Sequence, residues 1–293
     1  MDRSELLDDR DFISGIYNYC DRWCERCPFT SRCRLYAMER SDADFDDPDT
    51  RDINNAKFWR KLESIFKETH QMILDWAEEA GVDLSAVDAE EAIATEQRHE
   101  ADAKQHQLSI SARRYADMVQ QWFTEEFAVE ENVHDDTNGN SERNEDDIDR
   151  NDALEVVRWY QFFIAVKLFR ALMGAKEAVP DEELPDTGID AIFAQTEDET
   201  EDGEGAEDAE MLEALYGAAA DDSEGSAKIA LIAIERSVNA WRVLQNSLPE
   251  KADTIIPLLL ELERLRRTAE QTFPTARDFV RPGFDEVLSD FVS

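Results

Sequence analysis

All four cysteines of this 293-residue chain fall within fourteen consecutive positions, Cys20-Asp-Arg-Trp-Cys24-Glu-Arg-Cys27-Pro28-Phe-Thr-Ser-Arg-Cys33. This C-x3-C-x2-C-x5-C spacing leaves the segment few ways to fold. On a helix, Cys20, Cys24 and Cys27 stand at i, i+4 and i+7 on one face, and Pro28 then turns the chain so that Cys33 returns as a fourth thiol. Sulfurs gathered this densely predict a metal centre with Cys20, Cys24, Cys27 and Cys33 as its ligands. Residues 1–40 then form a cysteine-rich, metal-binding helical hairpin. Two disulfides are the poorer reading, because neighbours on one helical turn make strained pairs. The first residues, Met-Asp-Arg-Ser-Glu-Leu-Leu-Asp-Asp, also lack the basic-then-apolar pattern of a secretory leader, so a reducing, cytoplasmic setting is expected.

A mononuclear zinc site is usually served by two short cysteine pairs separated by a long finger, and that spacer is missing here. A cubane is bulkier, holds its thiolates farther apart and is commonly served by a compact run with proline after one cysteine. Cys24-x2-Cys27-Pro28-x4-Cys33 resembles the C-x2-C-P-x4-C triplets of cluster-anchored nucleases and of the auxiliary-cluster domains on some radical enzymes. The resemblance covers about ten residues and implies a [4Fe-4S] cluster, with zinc as the alternative and a metal-free cysteine cluster as a third reading. Cys20-x3-Cys24-x2-Cys27 is also similar to the signature of radical S-adenosylmethionine enzymes, which implies a cluster with one open iron. The β/α barrel and glycine-rich segment of those enzymes have no counterpart in this sequence, and Cys33 would close the open position. Arg22, Arg26, Arg32 and Arg34 interleave the cysteines. They would offset a negative centre and lower the thiol pKa values, or else simply pair with Asp21, Glu25 and Glu39.

Downstream the pattern is helical throughout, and an all-α fold is predicted: a long-helix antiparallel bundle preceded by the cysteine hairpin. An acidic linker is expected at 41–54. Residues 55–176 form the first part of the bundle. Phe58, Leu62, Ile65, Phe66, Ile73 and Trp76 make a stripe along a helix at 55–80 that Gly81 stops. A second helix should run from Ser85 to Phe127, with Leu108, Tyr115, Val119, Trp122 and Phe123 as its buried face. An acidic loop follows at 128–152. Leu154 to Leu172 is apolar nearly all round and is expected at the bundle centre. Residues 177–225 are acidic enough to predict a disordered insertion, with a short helix at Met211–Tyr216. The second part, 226–293, holds helices at 227–247 and 252–273 and a closing turn through Phe284, Val287, Leu288 and Phe291.

The formal net charge is −38, from 69 acidic and 31 basic residues. Such a surface argues against direct nucleic-acid binding and against anionic membranes, both of which require cations. The densest apolar run, Ile255-Ile-Pro-Leu-Leu-Leu260, is far short of the roughly 20 residues that cross a bilayer. Solubility, adaptation to high salt, or a basic protein partner are the readings left. An acidic interaction module for such a partner is therefore the second functional class. A helical metalloenzyme is the third: Glu96-x-x-His99 has the spacing of di-iron sites, with Asp102 and His106 following on the same helix. A second copy of that motif is missing, and a solvated polar stripe accounts for it more simply. Glu235 with Asn239, and Glu155 with Arg158, read as solvent edges or ion pairs, and the aromatic run Trp159-Tyr160 to Phe162-Phe163 as core.

Overall fold

The computed structural model describes residues 12–41, 47–80, 89–127, 145–177 and 204–285. The protein is all-α: among the described residues there are seven α-helices, short 3-10 turns and no strand. The helices are α1 (Arg34–Ser41), α2 (Ala56–Ala80), α3 (Ala89–Gln105), α4 (Gln107–Phe127), α5 (Glu145–Glu177), α6 (Glu204–Ser247) and α7 (Ala252–Thr272). None of them is long and apolar enough to cross a membrane. Residues 128–144 of the acidic loop expected at 128–152, 178–203 of the insertion expected at 177–225, Gly81, and Val287, Leu288 and Phe291 lie outside the described residues, while 145–152 of that expected loop is helical, as the start of α5.

The described residues fall into two compact units. One holds 96–177 and 213–281, and the other holds those of 12–95, 204–212 and 282–285. In the larger unit α4 packs against α5 and α7. Its core is filled by Leu108, Val119, Ile164, Leu168, Ile229, Ile234, Leu244, Leu258 and Leu262, each almost fully buried. Polar groups of the core aromatics find partners there, as burial demands. The Trp241 indole N–H donates to the Tyr115 hydroxyl at 3.0 Å, and the Trp122 N–H donates to Thr254 Oγ1 at 3.0 Å. The two indoles meet edge to face with centroids 4.8 Å apart. Helices α5 and α6 approach closely at Gly174, where a Cβ would lie 3.1 Å from the Ala219 carbonyl and 3.2 Å from the Ser223 amide. Ser223 Oγ donates to the Ala171 carbonyl across the same crossing, at 2.8 Å.

Three expectations about the helices need correcting. The helix foreseen from Ser85 to Phe127 is broken at His106, whose Nδ1 accepts the Leu108 amide at 3.2 Å and so caps α4. A side chain that bonds its own backbone two residues on competes with helix continuation. Second, α5 is not buried all round. Ala153, Val157, Tyr160, Ile164, Leu168 and Ala171 make one buried face, while Trp159, Phe162 and Val166 are exposed. Third, α6 starts at Glu204, inside the segment expected to be a disordered insertion. Acidic residues lower helix propensity only slightly, and the small-residue run from Gly217 to Ala220 extends the helix into the buried stretch that begins at Ser223.

In the smaller unit, α2 starts where its local chemistry allows. Asn55 Oδ1 accepts the Lys57 amide at 3.0 Å, an N-cap bond. The Lys57 ammonium reaches back to Asp47 at 2.9 Å and Asp49 at 3.0 Å, tying α2 to the 3-10 turn Pro48–Thr50. The Lys57 hydrogen bond is the main reason that the Asp47 carboxyl is held below its usual range. The stripe predicted on this helix is present, but most of it faces solvent: Ile65, Phe66, Ile73 and Trp76 are exposed, and only Phe58 and Leu62 are half-buried.

Candidate metal centre

The cysteine segment is not the helical hairpin expected. Residues 14–19 are turns, Cys24–Arg26 and Thr30–Arg32 are single 3-10 turns, and the first α-helix starts after Cys33. Cys20, Cys24 and Cys27 therefore do not lie along one helical face. Local chemistry explains the departure. Gly15 sits at φ 69°, a left-handed conformation that interrupts a helix. Asp21 Oδ1 accepts the Trp23 amide at 3.2 Å, an Asx turn that competes with helical bonding. Between them Arg22 adopts φ 59°, rare for a residue with a Cβ. Backbone bonds then close the small turns: Cys27 N–H donates to the Cys24 carbonyl at 3.2 Å, and Cys33 N–H to the Thr30 carbonyl at 3.3 Å. A longer-range bond from Ile13 N–H to the Arg32 carbonyl, 3.0 Å, pins the start of the segment to its end.

The consequence of this winding path is convergence. Cys20, Cys24, Cys27 and Cys33 all line one pocket, whose other walls include Ile16, Trp23, Phe29, Leu35, Tyr36 and Phe284. It holds about 410 Å³ of non-atom space, counting solvent at its mouth. None of the four cysteines is in a disulfide, each is partly exposed, and the Cys20 thiol donates to the Tyr17 carbonyl at 3.5 Å. Cys33 also supplies the carbonyl that accepts the Ala37 amide at 3.0 Å, so it stands at the amino end of α1, where the helix dipole favours negative charge. The cysteines border the cavity without closing on a point: among the described residues no group of three or more His, Cys, Asp or Glu is arranged to hold a metal ion.

Electrostatics at the pocket differ from the simple expectation. Burial pushes the Cys24 thiol up, Arg22 opposes that shift, and Cys20, Glu39 and Cys27 add to it. Desolvation thus outweighs the nearest cation, and the arginine-rich surroundings do not produce a lowered Cys24 pKa. Arg22 also pairs with Glu39 at 3.0 Å, the ordinary pairing foreseen as the alternative. The Arg26 guanidinium lies 3.9 Å from the centre of the Trp23 ring, so its charge stacks on a pocket wall.

Residues near the other end of the sequence complete the walls. Phe284 meets Phe29 edge to face at 5.0 Å between centroids. Gly283, at φ 73°, brings the backbone so near Ile13 and Ile16 that a Cβ would lie 2.8 Å from Ile13 Cδ1. Sequence reading assigned neither residue to this site. The Pro-Gly-Phe triplet announces a turn, but nothing in it names the partner against which the turn packs.

The weaker candidate is not assembled. His106 is engaged as the cap of α4, and Glu96, His99 and Asp102 do not form a metal-holding group with it. Glu235 is an ion-pair partner of Arg277, at 2.8 Å. Comparison of the chain with protein-family models, with curated proteins and with solved structures finds no match.

Proposed function

We propose that Cys20, Cys24, Cys27 and Cys33 hold a [4Fe-4S] cluster in a structural or redox-sensing role. The observation that carries this reading is that all four cysteines of the chain, brought in by successive short turns, border one largely apolar pocket. Zinc would need four sulfurs converging to about 2.3 Å from a single point. Cysteines spread around a cavity suit the wider cubane better. The aromatic and aliphatic walls would keep water from the sulfurs, and Arg22 and Arg26 would offset the negative charge that four thiolates leave, both of which tune a reduction potential. Complete thiolate ligation leaves no open coordination position, which favours a structural or sensing role over substrate chemistry.

The test is anaerobic purification of the full chain followed by iron, sulfide and zinc analysis and visible absorption. The expected result is a brown protein with about four irons and four sulfides per chain. Cys24→Ser should bleach it, and His99→Ala should not. A colourless protein with one zinc would replace the cluster with the zinc alternative. A protein with neither metal would remove the centre and leave the acidic surface as the functional feature.

A further inference from the structure

Helix α2 carries an apolar face that stands exposed among the described residues. Phe66 is 65% exposed, Met72 62%, Trp76 56% and Trp59 54%, with Ile65 and Ile73 close behind. At 100° per residue these six side chains fall on one arc of the helix, and the charged residues fall on the opposite side. Their exposed area is on the order of 700 Å², taking about 150–250 Å² for each large side chain. That exceeds the patch an ordinary monomer leaves open and approaches the roughly 800 Å² per partner of a standard interface.

We propose that α2 is a self-association surface that pairs antiparallel with α2 of a second copy of this chain. Two features choose that occupant. Trp59, Leu62, Phe66, Thr69, Ile73 and Trp76 are spaced by alternating steps of three and four, the repeat with which one helix packs against a like helix. The charges are also polarised along α2. Lys57, Arg60, Lys61 and Lys67 precede Glu68, Asp75, Glu78 and Glu79, with Glu63 the one exception to the division. Parallel pairing would lay like halves together. Antiparallel pairing sets each basic half beside an acidic half and opposes the helix dipoles. About a two-fold axis between Lys67 and Glu68 it brings Trp59 to Trp76 of the second copy and Leu62 to Ile73 of the second copy, an isologous seam.

Sedimentation velocity on the full chain at micromolar concentration should show a dimer. Phe66→Glu should raise the dimer dissociation constant about 30-fold or more, the effect of losing a central anchor. Leu74→Glu, exposed on α2 but off the arc, should leave it unchanged. A photo-reactive phenylalanine analogue at position 59 should cross-link to residues around Trp76 of the second copy. A monomer at high micromolar concentration, equal effects of the two substitutions, or cross-links to residues around Trp59 of the second copy would each overturn the proposal. Because the cross-linking chain keeps the native stripe, its outcome does not depend on the folding of Phe66→Glu. Neither readout depends on whether the cysteines bind iron.

Discussion

Phe284 presents the edge of its ring to Phe29, centroids 5.0 Å apart and planes at 81°, so a residue from the end of the described chain forms a wall of the cysteine pocket. The edge-to-face geometry contributes about 0.5–1.5 kcal/mol beyond the area it buries. Phe284→Ala should therefore loosen the pocket while the helices of the larger unit stay intact. Hydrogen exchange at the Ile13 and Cys33 amides is the measure, since both close the segment. Unchanged protection there would show that Phe284 does not hold the site.

Gly283→Ala combines two costs. The residue sits at φ 73°, where a Cβ is strained, and the new methyl would meet Ile13 Cδ1 at 2.8 Å. Destabilisation of about 1–3 kcal/mol is expected in the cysteine unit. Gly217→Ala is the opposite case: it lies within α6 with nothing within 4 Å of its added Cβ. A gain of about 0.4–1 kcal/mol is expected there. Thermal unfolding of the two variants should move in opposite directions.

Tyr115→Phe removes the acceptor of the buried Trp241 N–H. Both rings are fully buried, and burial holds the Tyr115 phenol protonated far above its usual range. Leaving the indole N–H without a partner should cost about 1–3 kcal/mol. Denaturant unfolding measures this directly. A neutral result would mean that the indole finds another acceptor.

Acid should weaken the carboxylate–arginine cluster on α7. Glu263 accepts from Arg266 and Arg267, and those hydrogen bonds hold its carboxyl down at about 2, below the ordinary 4.5. A depressed carboxyl contributes stability above its unfolded pKa and loses it as pH falls through the folded value. The contribution is thus full above about pH 5 and fades between about 4.5 and 2. Because Glu263 is exposed to solvent, salt should screen the effect. Glu263→Gln should flatten that part of the stability–pH profile, and a profile identical to the native one would exclude the pairing as its source.

Helix identity was legible wherever apolar side chains recur every three or four residues. The start of α2 follows from Asn55 and the span of α7 from the stripe through Ile255, Leu258, Leu262 and Leu265, because these signals act within one or two turns. The break at His106 was missed because a histidine cap is chemically sound but statistically rare. The extent of α6 was missed because acidity was read as disorder, while the buried residues from Ser223 onward sustain the helix.

For the site, residue spacing singled out Cys20, Cys24, Cys27 and Cys33, since a dense cysteine run has few other uses. By itself the sequence determined the all-α class and which side chains have the chemistry to form a centre. The tertiary structure decided that they border one pocket through turns at Gly15, Asp21 and Arg22, that Phe284 lines that pocket, and that burial governs the Cys24 thiol. The division has a physical origin. Periodicity and ligand type are properties of neighbours along the chain, whereas wall closure and desolvation depend on residues hundreds of positions away, whose approach no local pattern encodes.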